Sequence, residues 1–118
     1  MTLDNAIRRL HAALDDEDIA PPWAWRVRQR LSAVKDALAA EQVRVWDGWL
    51  AARAGRTDRA RTQLLARVAD LGSRVLERHD AAPVPQELRR LLLDLERFRQ
   101  RLHDLVYDSV SLELGGSE

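Results

Sequence analysis

The sequence contains no cysteine in its 118 residues. A disulfide framework, a thiol nucleophile and a thiolate metal site are therefore excluded. The three histidines, His11, His79 and His103, form none of the Glu-x-x-His pairs that a di-iron bundle requires. The acidic run at residues 15–18 lacks the glycine and the ligand spacing of a calcium loop. We therefore expect no metal and no other cofactor.

Net charge is also absent, because nineteen acidic residues balance nineteen basic ones. The molecule as a whole has no field that would steer it toward nucleic acid or an anionic membrane. Lys35 is the only lysine, so arginine dominates the basic set, as in proteins encoded by GC-rich genomes such as actinobacterial ones. Four arginines flank a predicted turn but are interrupted by Asp58, and we interpret them as solvated rather than as a nucleic-acid site. They are Arg53, Arg56, Arg59 and Arg61.

No long apolar run is present, and a bilayer span would need roughly 20 consecutive apolar residues. Residues 1–4 carry neither the basic region nor the apolar stretch of a signal peptide. Hydrophobic residues make up 46% and charged residues 32% of the chain, as in ordinary soluble domains. We expect one cytoplasmic domain with no membrane partner.

Glycine and proline are few, and helical stripes of apolar residues fill most of the chain. A short first helix is predicted after Thr2, which can cap it. Two prolines suit the start of a second helix near Pro22, which is predicted to continue to about Ala54. Gly55 is then interpreted as its C-cap and Thr57 as the next N-cap. The two stripes are Leu3, Ile7, Leu10 and Leu14, then Val27, Leu31, Val34, Leu38 and Val45.

Two further helices complete the pattern, the third ending near His79 and the fourth fading near Asp108. Their stripes are Leu64, Val68, Leu71 and Val75, then Leu88, Leu91, Leu92, Leu95, Phe98, Leu102, Leu105 and Val106. Four amphipathic helices with short connections predict an all-α, antiparallel, up-down four-helix bundle.

The C-terminal segment departs from helical spacing, because Val110, Leu112 and Leu114 alternate with polar residues. This period of two is typical of an extended segment with one buried edge. We expect a bundle domain at residues 1–108 and an extended tail at residues 109–118 that packs on the bundle or on a second copy. Helical continuation through Val106, Val110 and Leu114 stays open.

The predicted lengths of the first two helices differ, at roughly 21 Å and roughly 48 Å. The first helix would therefore cover only half of the second and leave Trp46, Trp49 and Leu50 exposed beside a groove. Gly48 would allow close approach of a neighbouring helix. Two alternatives stay open: the indoles fill the core, or Asp47 and Gly48 end the second helix in a turn. Trp23 and Trp25, two residues apart, should point to different sides, one packed under the first helix and one half exposed.

Exposed aromatic and aliphatic patches often mark association surfaces. We therefore predict a non-enzymatic interaction or adaptor protein, homodimeric or bound to another protein. The predicted interaction residues are Trp46, Trp49, Leu50, Tyr107, Val110, Leu112 and Leu114.

Two alternative functions stay open. Arg74 with His79, and Arg97 with His103, match the arginine-to-histidine spacing of HEPN helical ribonucleases, and this resemblance would imply RNA cleavage. Both pairs lie in a chain so rich in arginine that such spacings arise by chance. The second alternative is a binder of apolar small ligands in the tryptophan-lined groove.

Overall fold

The computed structural model of the chain describes residues 2–15, 21–41, 48–77 and 83–116. These residues form four helices and no strand. The helices are α1 Leu3–Asp15, α2 Pro21–Ala40, α3 Trp49–Glu77 and α4 Pro83–Gly116. Each helix packs against the next one in the chain, and α1 also packs against α4. The prediction of an all-α four-helix bundle with a short first helix is confirmed.

Charged side chains show that neighbouring helices run in opposite directions. On α1, Asp4 lies 3.5 Å from Arg99 of α4, and Asp15 lies 3.7 Å from Arg89 of α4. Residue numbers therefore rise along α1 as they fall along α4. The same is true of α3 and α4, which are joined by the ion pairs Arg53 with Asp108, Arg67 with Asp94, and Arg74 with Glu87. Partly exposed pairs of this kind contribute about 1 kcal/mol or less each, so apolar packing holds the bundle together.

The apolar stripes predicted from the sequence form the core. All members of the α1 stripe are buried, as are the four residues of the second stripe that lie in α2 and the four residues of the α3 stripe. On α4 the predicted stripe is buried from Leu88 to Leu105, whereas Val106 is half exposed. Phe98 is the largest fully buried side chain.

Two contacts fix α1 at its ends. The Thr2 hydroxyl accepts a hydrogen bond from the Asn5 amide at 3.2 Å, so the predicted N-cap is confirmed. Trp23 is buried and its Nε1 donates to the Ala13 carbonyl at 3.0 Å, which ties the last turn of α1 to the first turn of α2. Trp25 is 57% exposed, so the two indoles point to different sides as predicted.

The predicted boundary between the second and third helices is wrong. Helix α2 ends at Ala40, and α3 begins at Trp49 and continues through both Gly55 and Thr57. Thr57 caps nothing: it is buried within α3, and its hydroxyl donates to the Arg53 carbonyl one turn earlier at 2.8 Å.

Gly48 does not allow the close helix approach that was predicted for it. Its φ of +72° is a left-handed conformation that favours glycine, and no described residue other than its chain neighbours has a heavy atom within 4 Å of the position its Cβ would occupy. Gly48 therefore lies in a turn, as one alternative predicted, but this turn directly precedes α3 and does not end α2, which stops at Ala40. A helix extended past Ala40 would have carried Glu41 onto the core stripe, where an unpaired carboxylate is costly.

The predicted extended tail is also wrong, because α4 continues as a helix to Gly116. A lone extended segment leaves its backbone groups without partners, whereas a helix satisfies them internally. Ser109 is buried, and its hydroxyl donates to the Val106 carbonyl at 2.8 Å. The helix therefore continues through the boundary predicted at residue 108.

The four helices differ in length, and this difference shapes the molecule. Helices α3 and α4 contain 29 and 34 residues, against 13 for α1 and 20 for α2. The molecule measures 60 × 20 × 20 Å. Helix α1 begins level with Arg99, and the end of α2 reaches Arg61, whose guanidinium lies 3.5 Å from the Leu38 carbonyl. Beyond those points α3 and α4 continue without α1 or α2. We call this part, residues 49–60 and 100–116, the arm.

Candidate association surface on the two-helix arm

The arm has a small core of its own. Leu50, Ala54 and Leu105 form a buried cluster that is separate from the main core. The Arg53 guanidinium donates to the Asp108 carboxylate at 2.7 Å and joins the two helices beside this cluster. The arm is therefore a packed antiparallel pair of helices, about 25 Å long on the α4 side at 1.5 Å per residue.

One side of the arm exposes apolar side chains on α4. Val106 is 49% exposed, Val110 is 48% exposed and Tyr107 is 73% exposed. We call these three residues the arm face. Val106 follows Arg99 by seven residues, two helical turns, and so lies on the side of α4 against which α1 packs. Because α1 begins level with Arg99, its place beside Val106 and Val110 is empty of any described helix.

At the base of the arm face, one buried side-chain nitrogen has no hydrogen bond to any described residue. Arg99 Nε is buried and lies 3.5 Å from the Asp4 carboxylate, close enough for an ion pair. It has no hydrogen-bond partner within the described part of the chain. His103 is exposed between Arg99 and Tyr107. Arg99, His103 and Tyr107 follow one line of α4 at intervals of four residues, but Arg99 turns toward α1 and Tyr107 toward solvent.

The predicted interaction residues have different outcomes. Tyr107 and Val110 are exposed on the arm face. The expectation that Leu50 is exposed is wrong, because it is 2% exposed and fills the core of the arm. Trp46 lies outside the described residues. Trp49, Leu112 and Leu114 are helical positions of the arm, but their side chains lie outside the described set.

The predicted tryptophan-lined groove depends on a single helix from Pro22 to Ala54, whereas α2 ends at Ala40. The helices that extend past the start of α1 are α3 and α4, not α2. Sequence reasoning missed this because it broke α3 at Gly55.

The two arginine and histidine pairs lie in different surroundings. Arg74 donates hydrogen bonds to Glu87 and, at 3.1 Å, to Asp70; the bond to Glu87 is the main cause of a raised pKa for its guanidinium. Its partner His79 lies outside the described residues. Arg97 and His103 are both exposed on α4, and Arg97 lies 3.8 Å from Asp94. Neither pair is tested as a catalytic site, and the ribonuclease reading stays a prediction.

Metal-binding geometry is not found within residues 2–15, 21–41, 48–77 and 83–116, where no three histidine, aspartate or glutamate side chains come together. His11 and Asp15 form an exposed pair at 3.3 Å. Two groups are too few to close a coordination sphere.

A groove that sequence reasoning missed lies between α2 and α3, on the main bundle. Its volume is about 380 Å³, and its lining includes the exposed Trp25 and the mid-helix Gly72. The sequence features that could have predicted this groove are a tryptophan off the core stripe and a glycine inside a strongly periodic helix.

None of the helices in the described parts of the chain is long and apolar enough to cross a membrane. Comparison with protein-family profiles, with curated proteins and with solved structures gave no match.

Proposed function

We propose that this protein is a non-catalytic interaction module that associates with a second copy of itself through the arm face. The observation that carries the proposal is the apolar side of α4 at Val106, Tyr107 and Val110, exposed where α1 no longer covers it. In the main bundle the same side of α4 is buried against α1. A second arm placed there completes a four-helix arrangement with two helices from each copy.

The arm face suits a symmetric interface because it carries no fixed charge. In a two-fold interface every residue meets the same surface patch of the partner copy, so a charged patch would oppose itself. The exposed residues between positions 103 and 111 are His103, Asp104, Val106, Tyr107, Val110 and Ser111, and Asp104 lies at the edge of this side, where it accepts a hydrogen bond from Gln100. The charged Asp108 points instead toward α3, where it pairs with Arg53.

Steric considerations select an antiparallel arrangement of the two arms. A partner running parallel would place its main bundle in the space that α1 occupies beside α4. An antiparallel partner places only its arm there, and its main bundle lies beyond the end of the first arm. The dimer would therefore be a long rod with both arms at its centre and a main bundle at each end.

Sedimentation equilibrium of the full chain over a range of micromolar concentrations tests the proposal. Two copies held by buried valine and tyrosine side chains should give twice the chain mass of 13.5 kDa. A mass of 13.5 kDa at every concentration would overturn it.

A further inference from the structure

The groove between α2 and α3 has only small side chains along its floor. The floor consists of small residues of α3, Ala69, Gly72 and Ser73, above the buried Leu31 and Val68. Apart from its chain neighbours and the backbone of its own helix, no described residue has a heavy atom within 4 Å of the position that a Cβ on Gly72 would occupy. A guest can therefore approach the α3 backbone closely at Gly72 without displacing any side chain.

The walls of the groove combine one aromatic surface with positive charge. Trp25 stands at one end and is 57% exposed, which leaves much of its indole available for stacking. Arg28 and Lys35 also line the groove, and neither forms an ion pair with any described residue. None of the described lining residues is an aspartate or glutamate. The groove is therefore cationic, although the molecule as a whole is neutral.

We infer that this groove binds an organic anion with a flat aromatic body, such as an aromatic carboxylate or sulfonate. The ring system lies over Ala69 and Gly72 against Trp25, and its acidic group is held by Arg28 and Lys35. The hydroxyls of Ser32 and Ser73 provide further donors at the groove edge. The volume of about 380 Å³ falls at the small end of the range for small-molecule sites, about 300–1,000 Å³.

Titration of the 118-residue chain with the fluorescent anion anilinonaphthalene sulfonate tests this inference. Its neutral counterpart, phenylnaphthylamine, has the same aromatic body without the acidic group. We expect one saturable site per chain for the anion, with affinity at least about tenfold higher than for the neutral compound and falling with added salt. Equal affinity for the two compounds would overturn the assignment of an anion.

Three variants locate the site. Gly72→Leu fills the floor and should abolish binding, and the double variant Arg28→Gln with Lys35→Gln should weaken it by about tenfold. The matched control, Arg8→Gln with Arg90→Gln, removes two exposed arginines outside the groove and should leave binding unchanged. Circular dichroism verifies that each variant is folded.

The result that would contradict the inference is anion binding that survives both groove variants, because the dye would then be bound elsewhere. The arm face is the main competing apolar surface. The groove does not include any arm residue, so loss of self-association and loss of anion binding are separate outcomes.

Discussion

Replacing both Val106 and Val110 by aspartate is expected to convert the dimer into a single chain of 13.5 kDa. The two valines are about half exposed in the single chain, so the substitutions leave the main core intact. In the proposed dimer each aspartate would lose water without gaining a partner and would face the same residue types of the second copy. The symmetric dimer would bury four such aspartates, so at roughly 2 kcal/mol for each buried, unpaired group the dissociation constant should rise about a millionfold.

The matched control is Leu93→Asp with Leu76→Asp. These leucines are also exposed, at 54% and 43%, but they belong to the main bundle rather than to the arm. This double variant should keep the parent mass. If it dissociates as readily as the valine double variant, or if the valine variant keeps the mass of two chains, the arm face is not the interface.

Alanine in place of Gly48 and alanine in place of Gly55 are expected to have opposite effects on stability. Gly48 has a φ of +72°, so Gly48→Ala should lower the free energy of unfolding by roughly 1–2 kcal/mol through backbone strain alone. Gly55 lies inside α3, and its added Cβ would meet only Arg59 Nη1 at 3.6 Å. Gly55→Ala should therefore raise the free energy of unfolding by about 0.5–1 kcal/mol.

Urea unfolding followed by circular dichroism measures both values. Gly72→Ala is the internal control, because Gly72 also lies inside α3 with open space at its Cβ position, and it should match Gly55→Ala in sign. Stabilisation by Gly48→Ala together with destabilisation by Gly55→Ala would place the helix boundary at Gly55 and remove the basis for an arm.

The bundle itself was predictable because the stripes of large apolar residues keep a regular helical period. That period fails to mark the start of α3, where the buried positions are Leu50, Ala54 and Thr57. They keep the spacing of the stripe at Leu64 and Val68, but two of the three are small or polar, and hydrophobicity gives no signal there. Gly55 and Thr57, both common at helix ends, then favoured a break that tertiary packing overrides.

Only part of the candidate site was predicted, again because the hydrophobic pattern does not fix the helix boundaries. Tyr107 and Val110 were predicted as interaction residues of the C-terminal region, and both are exposed in the structure. The alternation of Val110, Leu112 and Leu114 predicted an extended segment, yet Leu105, Ser109 and Leu112 also fit helical spacing. Without knowing that α3 extends alongside, the sequence contains nothing that decides between the two periods. The exposure of Val106 was missed because it depends on where α1 begins.

The distance between identical sites in two copies tests the antiparallel arm pairing most directly, by pulsed electron resonance on spin labels. The chain has no cysteine, so Ser111→Cys on the arm and Gln86→Cys near the start of α4 each introduce a single labelling site, and both positions are exposed. Pairing of the arms predicts an interchain distance of about 30 Å or less at position 111. At position 86 it predicts an interchain distance of more than about 50 Å, since each α4 extends away from the centre of the dimer by 1.5 Å per residue. A short distance at position 86, or no interchain distance at position 111, would contradict association through the arm.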